Sequence, residues 1–308
     1  MSESNFVLMV GLPGSNKSTY AKQLVSEGYT VHASDIIRAE LGDENDQTRN
    51  GEVFEILTRR VKNDLISKKN VVMDATNLRR KHRIHLLRML KGIPCHKKCV
   101  VMCVPFEECI TNNANRDRRV PEEAMWKMLT NFQMPCEVEG WDEIELVYPK
   151  PEYEGYYGDP VSYVGMLMDY DQGNSHHALT LGEHMRQACL YYTNNYALFD
   201  DVAMAAFLHD IGKPYTRSET NKNGENDGEC HYYNHHTVGS YLSLFLLYEY
   251  EWLHREYIAL LIEMHMRPHL EWRASDQALE KDIRLFGNSV VEDVYKIHCC
   301  DLSSTGIS

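Results

Sequence analysis

The 308-residue chain has no apolar run near the ~20 residues that a membrane-crossing helix needs, so no membrane partner is expected. Its N-terminus, MSESNFVLMVGLPG, shows no basic segment ahead of an apolar one and no small-residue cleavage site. No secretory leader is expected, and a cytoplasmic location follows. No two cysteines have the CxxC spacing; the nine are scattered, odd in number, and Cys299 and Cys300 are adjacent. That pattern argues against a disulfide framework or a zinc knuckle and predicts reduced, mostly buried thiols. Internal repeats and low-complexity tracts are missing too. Basic charge is short: 32 Lys and Arg stand against 45 Asp and Glu, a net charge of −13. A protein that coats nucleic acid without specificity is thereby disfavoured, whereas a nucleic-acid substrate in a local basic groove is not.

What is present suffices for two ordinary domains: 43% hydrophobic and 25% charged residues can build real cores. Residues 1–147 alternate short apolar runs with amphipathic stretches. Phe6 to Val10, Tyr29 to Ala33, Val71 to Met73 and Lys98 to Val104 read as strands. A helix is expected from about Lys17, and Val53, Ile56, Leu57, Val61 and Leu65 fall at helical spacing within Glu52 to Lys68. Alternation of this kind predicts an α/β domain, a parallel sheet with helices on both faces. The Pro-, Gly- and Tyr-rich stretch 148–160 reads as a linker. Residues 161–308 read as all-α, with helices over Thr180 to Tyr192, Val202 to His209, Thr237 to Tyr250, Trp252 to Met266 and Ser289 to Cys300.

Gly11 to Ser18 spells GLPGSNKS, close to GxxxxGK[ST], between a predicted strand and a predicted helix. Such a loop turns backbone N–H groups and a helix N-terminus toward phosphates, with a lysine for the β/γ-phosphates and a hydroxyl for Mg²⁺. Gly11, Gly14, Ser15, Lys17, Ser18 and Thr19 are the candidate ATP and Mg²⁺ ligands. Asn16 stands where the motif has its second glycine, and asparagine tolerates the left-handed backbone that this position needs. After the second strand, HASDIIR places Asp35 as a candidate base for an attacking hydroxyl or as a helix N-cap, with Arg38 one turn on for an acceptor phosphate. Asp74 closes the third strand in VVMDATNL and can serve a Mg²⁺-bound water. Thr76 and Asn77 are expected to open a helix and face the cleft. Arg116, Arg118 and Arg119, in NANRDRRVP, read as a mobile lid over nucleotide phosphates or as a solvated charge run.

Together, GLPGSNKST, SDxxR, DATNL and the arginine lid resemble the kinase domain of the T-even phage polynucleotide kinase-phosphatase family, over roughly residues 5 to 135. The resemblance implies that Lys17 and Ser18 bind ATP and Mg²⁺ and that Asp35 is the general base for a 5′-hydroxyl. It also implies that Arg38 and Thr76, with Asn77 beside them, meet the acceptor's 3′-side phosphate while Arg116 works from the lid. Two residues depart from the family pattern, Asn16 in the loop and Asn112 where the family's lid starts with arginine.

Histidine concentrates in the second half. LGEHM supplies His184, FLHDIGK supplies His209 and Asp210 with Lys213, YNHHTVG supplies His235 and His236, LIEMHMRPH supplies His265 and His269, and HCCD supplies Asp301. Imidazoles and carboxylates are ligands of borderline divalent metals, and successive helices of a bundle can aim them at one centre. The order H, HD, H, H, D resembles the HD superfamily of metal-dependent phosphohydrolases. That likeness implies one metal on His184, His209, Asp210 and Asp301 and a second on His235 and His265, as Mn²⁺, Ni²⁺, Co²⁺ or Fe²⁺, with Lys213 and Arg267 neutralising phosphate. His235 is preferred to His236 for its place before Val238-Gly239. Gln172, His176 and His177 either line the same cleft or belong to a polar loop. The DxDGT motif of the phosphatase in the T-even family is missing, so that likeness ends at the linker.

The combined expectation is an end-healing enzyme: an ATP-dependent 5′-hydroxyl kinase for RNA or DNA ends joined to a metal-dependent 2′,3′-phosphatase, with opening of a 2′,3′-cyclic phosphate as a further step and a separate RNA ligase as a partner. Kinase-with-HD end-healing enzymes form a known family, whose bacterial examples carry the two domains in the opposite order. The competing expectation is a nucleoside or nucleotide kinase fused to a nucleotidase.

Overall fold

The structure, a computed structural model, describes residues 4–42, 48–116, 118–175 and 178–306. The chain divides into two compact units, Met1–Asn131 with Pro135–Tyr153, and Phe132–Met134 with Glu154–Ser308.

In the first unit the chain runs β1 (Ser4–Val10), α1 (Lys17–Ser26), β2 (Tyr29–Ala33), α2 (Ser34–Glu40), α3 (Asn50–Ile66), β3 (Asn70–Asp74), α4 (Arg80–Met89), β4 (Cys95–Met102), α5 (Phe106–Ala114), α6 (Glu122–Leu129) and β5 (Glu143–Val147). The strands form one parallel sheet in the order β2-β3-β1-β4-β5. Six of the seven residues of β1 are buried, so side chains on both faces of this central strand are covered. Val7 and Met9 pack with Val72, Val100, Met102 and Ala21, while Tyr20 and Leu24 of α1 close over them.

Pattern reading starts β4 too late and misses β5. The pairing of β1 with β4 runs from Ser4–Cys95 to Val10–Val101, so the strand begins in its charged residues. Lys97 and Lys98 sit comfortably there because Asp142 and the β5 residues Glu143 and Glu145 accept their ammonium groups. Half-buried and acidic, β5 lacks the apolar alternation by which a strand is recognised. Residues 75–79 are also not helical, contrary to expectation: Asn77 adopts φ 48°, which a helix cannot hold, and α4 waits until Arg80.

The second unit contains α7 (Pro160–Met166), α8 (Leu181–Asn195), α9 (Asp201–Leu208), α10 (Lys213–Thr216), α11 (His235–Ser243), α12 (Arg255–Met264), α13 (Asp276–Phe286) and α14 (Asn288–Ser303). A short hairpin, β6 (Arg217–Ser218) with β7 (His231–Tyr232), interrupts an otherwise helical unit. Helix α11 ends at Ser243, earlier than its periodicity suggests. Leu244, Phe245, Leu246 and Leu247 are all fully buried beyond its end, so the apolar run continues as core after the helix has stopped. All nine cysteines are free thiols, five of them buried.

Candidate functional site

The loop after β1 wraps around its own lysine. Lys17 Nζ donates to Leu12 O (2.6 Å) and Ser15 Oγ (3.2 Å), and only 8% of the residue is exposed. Burial lowers the Lys17 pKa against the opposing pull of the Asp74 carboxylate. Asn16 takes φ 64°, ψ 18°, the left-handed region that asparagine tolerates. Gly14 is constrained twice: its φ is 80°, and a Cβ there would lie 2.2 Å from Cys109 O. Asn112, which sequence comparison marks only as a departure in the lid, donates from Nδ2 to Gly14 O at 3.0 Å and ties the loop to α5.

Parallel pairing of β1 with β3 brings the start of α1 beside the end of β3. Ser18 Oγ donates to Asp74 Oδ2 at 2.7 Å, a hydroxyl and a carboxylate together at the carboxyl edge of the sheet, where open α/β folds bind ligands. A hard cation takes such oxygen donors, so this pair fits Mg²⁺. Thr19 is exposed one residue further along α1.

Asp35 lies in the first turn of α2, its side chain 47% exposed, among three arginines. Arg38 Nη1 and Arg118 Nη1 both donate to Oδ1 (3.1 and 2.6 Å), while Arg116 Nη2 stands 3.8 Å from Oδ2. Arg38 is held from behind by Asn50 Oδ1 at 2.6 Å and keeps a buried Nε without a partner. The arginine closest to Asp35 is thus Arg118, whereas Arg119 is exposed. Thr76 is half-buried and its carbonyl accepts from Gly11 N. Asn77 is turned inward: Nδ2 donates to Met9 O at 2.8 Å. The loop carrying both residues rests on Arg83, whose Nη1 reaches Asn77 O (3.0 Å) and Leu78 O (2.9 Å). Arg83 in turn pairs with the fully buried Glu139 at 2.6 and 2.8 Å, and Trp141 Nε1 donates to the same carboxylate. No sequence motif marked this network.

In the second unit, five helices converge on Asp210. His184 comes from α8, His209 and Asp210 follow the end of α9, His235 opens α11, His265 follows α12 and Asp301 lies on α14. Gly212 lets the turn after Asp210 press onto α11, since a Cβ there would meet His235 O at 2.1 Å. Asp210 Oδ2 faces His184 Nε2 and His209 Nε2, each at 3.3 Å, and Oδ1 faces His235 Nε2 at 3.1 Å and His265 Nε2 at 3.8 Å. Asp301 Oδ1 completes the first side, 3.2 Å from His184 Nε2. One carboxylate thus stands between two donor sets.

The fit to metal follows from the tautomers. Each Nδ1 contacts a backbone carbonyl: Ser304 O for His184, Ala206 O for His209, Tyr232 O for His235 and Ile262 O for His265, at 2.7–2.9 Å. A carbonyl only accepts, so Nδ1 carries the proton and Nε2 carries a lone pair. Lone pairs then face each other at 3.1 Å between His184 and His209 and at 3.2 Å between His235 and His265. Such pairs repel unless a cation or a proton lies between them. The carboxylates draw positive charge to this side: burial lowers the pKa of His209, yet Asp210 and Asp301 overcome it and lift it to about 10, so a proton takes the place on Nε2 where no metal does. His265 is driven well down by burial and the neighbouring imidazoles. Buried, preformed and built of nitrogen and oxygen donors, the centre fits one or two divalent transition metals.

Lys213 Nζ bridges Asp210 Oδ2 and Gln172 Oε1, both at 2.7 Å, so Gln172 is a buried support for that lysine. His176 and His177 lie outside the described residues. Arg267 pairs with Glu271 and stands 3.6 Å from Asp282. It lines a cavity of about 110 Å³ with His236, Thr237, Glu263 and Gln133. His236 makes no contact with Asp210 of the kind His235 makes; its Nδ1 is buried without a partner, and burial with the nearby His235 pushes its pKa down to about 3.

Residues 6–135 match the family model described as an AAA domain, and residues 175–285 match the HD domain model. Among solved structures, the Pnkp1/Rnl/Hen1 RNA repair complex is 19% identical, with 42% of this chain and 44% of that chain covered and a TM-score of 0.39. This chain therefore spans less than half the length of that relative. A gluconokinase from Sinorhizobium meliloti 1021 is 15% identical over 48% of this chain and 84% of its own, with a TM-score of 0.35. Shikimate kinase from Acinetobacter baumannii, solved with shikimate, is 18% identical over 46% and 82%, with a TM-score of 0.31.

Proposed function

We propose that this chain, in which a P-loop domain of the AAA type is joined to an HD phosphohydrolase domain, heals broken nucleic-acid ends. Its first unit transfers the γ-phosphate of ATP to a 5′-hydroxyl, and its second removes a 2′- or 3′-phosphate, opening a 2′,3′-cyclic phosphate where one is present. The observation that carries the kinase half is the half-exposed Asp35 among Arg38, Arg116 and Arg118. A carboxylate in an open setting with several arginines suits an acceptor that itself bears phosphate, better than the enclosed pocket a nucleoside needs.

With ATP and Mg²⁺ bound, the cation offsets charge on the β- and γ-phosphates. The loop from Gly14 to Ser18 offers backbone N–H groups to the phosphates, and Lys17 adds its ammonium group. Ser18 and Asp74 supply the oxygens for the cation. Asp35 Oδ1 is committed to Arg38 and Arg118, which leaves Oδ2 for the proton of the attacking hydroxyl. Arg38 and Thr76 hold the acceptor's adjacent phosphate, and Arg116 and Arg118 neutralise charge on the transferred group.

In the HD unit, bound divalent metals supply Lewis-acid polarisation of the phosphoryl group and a nucleophile at neutral pH. His184, His209, Asp210 and Asp301 would hold the first ion, and Asp210, His235 and His265 would hold the second. Lys213 keeps Asp210 oriented through their contact and offers positive charge to the phosphate.

The test is mass spectrometry of a short RNA with 5′-hydroxyl and 3′-phosphate ends, incubated with ATP, Mg²⁺ and Mn²⁺. A phosphate is gained at the 5′ end and lost at the 3′ end, with Asp35→Ala abolishing the gain and Asp210→Ala the loss. RNA returned unchanged while free nucleotides are consumed would overturn this reading.

A further inference from the structure

Between Asp74 and Glu107 the sequence has no acidic residue and eight Lys or Arg, in a chain whose net charge is −13. The structure sorts these charges. Arg80 and Arg83 are buried on Glu139, Lys97 is paired with Asp142, and Lys98 with Glu143 and Glu145. What remains lies on and beside α4. Arg79, Lys81, His82, His85, Arg88 and Lys91 are exposed. Among the described residues Lys81, Arg88 and Lys91 have no ion pair, and Arg79 has only the amide oxygen of Asn131, at 2.6 Å.

Lys81, His85 and Arg88 recur at helical spacing on one solvent face, seven residues or ~10 Å along the axis, and Lys91 extends that face past the end of the helix. The field of this cluster is unrelieved: His82 is lowered by burial and then by Arg79, Lys81, His85 and Arg83 in turn. Position matters as much as charge. Helix α4 begins directly after residues 75–79, the loop that follows Asp74 and carries Thr76. The basic face is therefore continuous in the chain with the acceptor side of the P-loop unit.

We propose that the exposed face of α4, with Lys81, Arg88 and Lys91, is a track for the phosphodiester backbone of a single-stranded acceptor, on the 3′ side of the nucleotide being phosphorylated. The proposal rests on the polynucleotide-kinase reading of this unit and extends it from the reacting nucleotide to the strand behind it. Point charges on flexible stems, with no aromatic residue between Asp74 and Phe106, suit a backbone track without base selection. Helix α4 runs from the carboxyl end of β3 back toward the start of β4, so its basic face leads away from the site along the flank of the sheet and draws a polyanion onto that flank of a strongly acidic chain.

The experiment compares K81A/R88A/K91A with wild type on a 5′-hydroxyl 20-mer RNA and on a nucleoside 3′-monophosphate, across a salt series. The variant is expected to raise KM for the 20-mer about tenfold at low salt and to leave kcat unchanged. The slope of log affinity against log salt becomes shallower by about 2, three phosphate contacts having been lost. KM and kcat for the monophosphate stay at wild-type values, which also shows that the variant is folded. Conservative K81R/K91R keeps the wild-type KM for the 20-mer. An unmoved 20-mer KM, or equal weakening on both substrates, overturns the track while the kinase reading stands. Failure of the wild type to phosphorylate either substrate overturns the kinase reading, and the track with it.

Discussion

The two centres are built in opposite ways. In the first unit the phosphate loop is a run of consecutive residues whose shape is set by backbone angles at Gly14 and Asn16, and its partner carboxylate Asp35 is half open to water. In the second, six side chains from five helices meet at a buried carboxylate, and no two ligands except His209 and Asp210 are neighbours in the chain. The first centre offers main-chain donors to a ligand that brings its own charge. The second concentrates lone pairs that a cation or a proton must separate. The phosphate loop should therefore tolerate exchange at Asn16, whereas the second centre should not tolerate it at Asp210.

The sharpest way to break that contrast is Asp210→Ala. Because this carboxylate faces both donor sets, bound metal measured by atomic absorption should fall for the whole centre and 3′-phosphatase activity should drop to background. Retention of half the metal would show that the two sets are independent. Next in size is Asp35→Asn, which should cost the kinase ~10²–10⁴-fold in kcat as expected for a general base, with phosphatase turnover unchanged. Arg83→Met asks whether the first unit has a buried side-chain dependence of its own. Glu139 loses the closer of its two arginines but keeps Arg80 and Trp141, so the change should cost ~3 kcal/mol in urea unfolding, the low end for a broken buried ion pair. Smaller again is the response to metal. Chelation should lower the stability and melting temperature of the second unit, and Mn²⁺ at a hundredfold excess over Kd should restore ~2.7 kcal/mol of unfolding free energy. An unchanged melting curve would mean that the lone-pair contacts are satisfied by protons. Asn16→Gly should matter least, within ~1 kcal/mol of ATP affinity by calorimetry, because both residues accept the left-handed angle.

The same contrast explains what could be read from the sequence. The phosphate loop was legible because its chemistry is contiguous, and the strand before it and the helix after it announce themselves by period. The histidine pattern was legible as an order of motifs, but its geometry was not, since the role of Asp210 as common neighbour depends on helix ends far apart in the chain. Asn77 reads as a cleft residue beside Thr76, yet it spends its amide on Met9 O, a partner 68 positions away. Asn112 looks like a loss from the lid until its bond to Gly14 O is seen. Strand β5 hides behind acidic residues whose partners lie on β4. Phe132–Met134 falls in a stretch read as part of the first domain, but it packs in the second unit, with Phe132 edge-on to Tyr241 and Met134 N donating to Glu263. In each case the deciding partner is remote, and local pattern carries no record of it.

The four Nδ1–carbonyl bonds have a consequence for how this centre can change over time. Metal-binding histidines are often steered by neighbouring carboxylates, which a single codon change can remove. Here the steering atoms belong to the peptide backbone, which every residue type supplies equally. Point substitution at Ala206, Tyr232 or Ile262 leaves the carbonyl in place, so the orientation of those three rings is shielded from ordinary mutational drift, whereas His184 also touches Ser304 Oγ at 3.0 Å. Only a shift of the helix ends themselves can misdirect them, and such a shift would register as a loss of folding cooperativity before it registered as a change in chemistry.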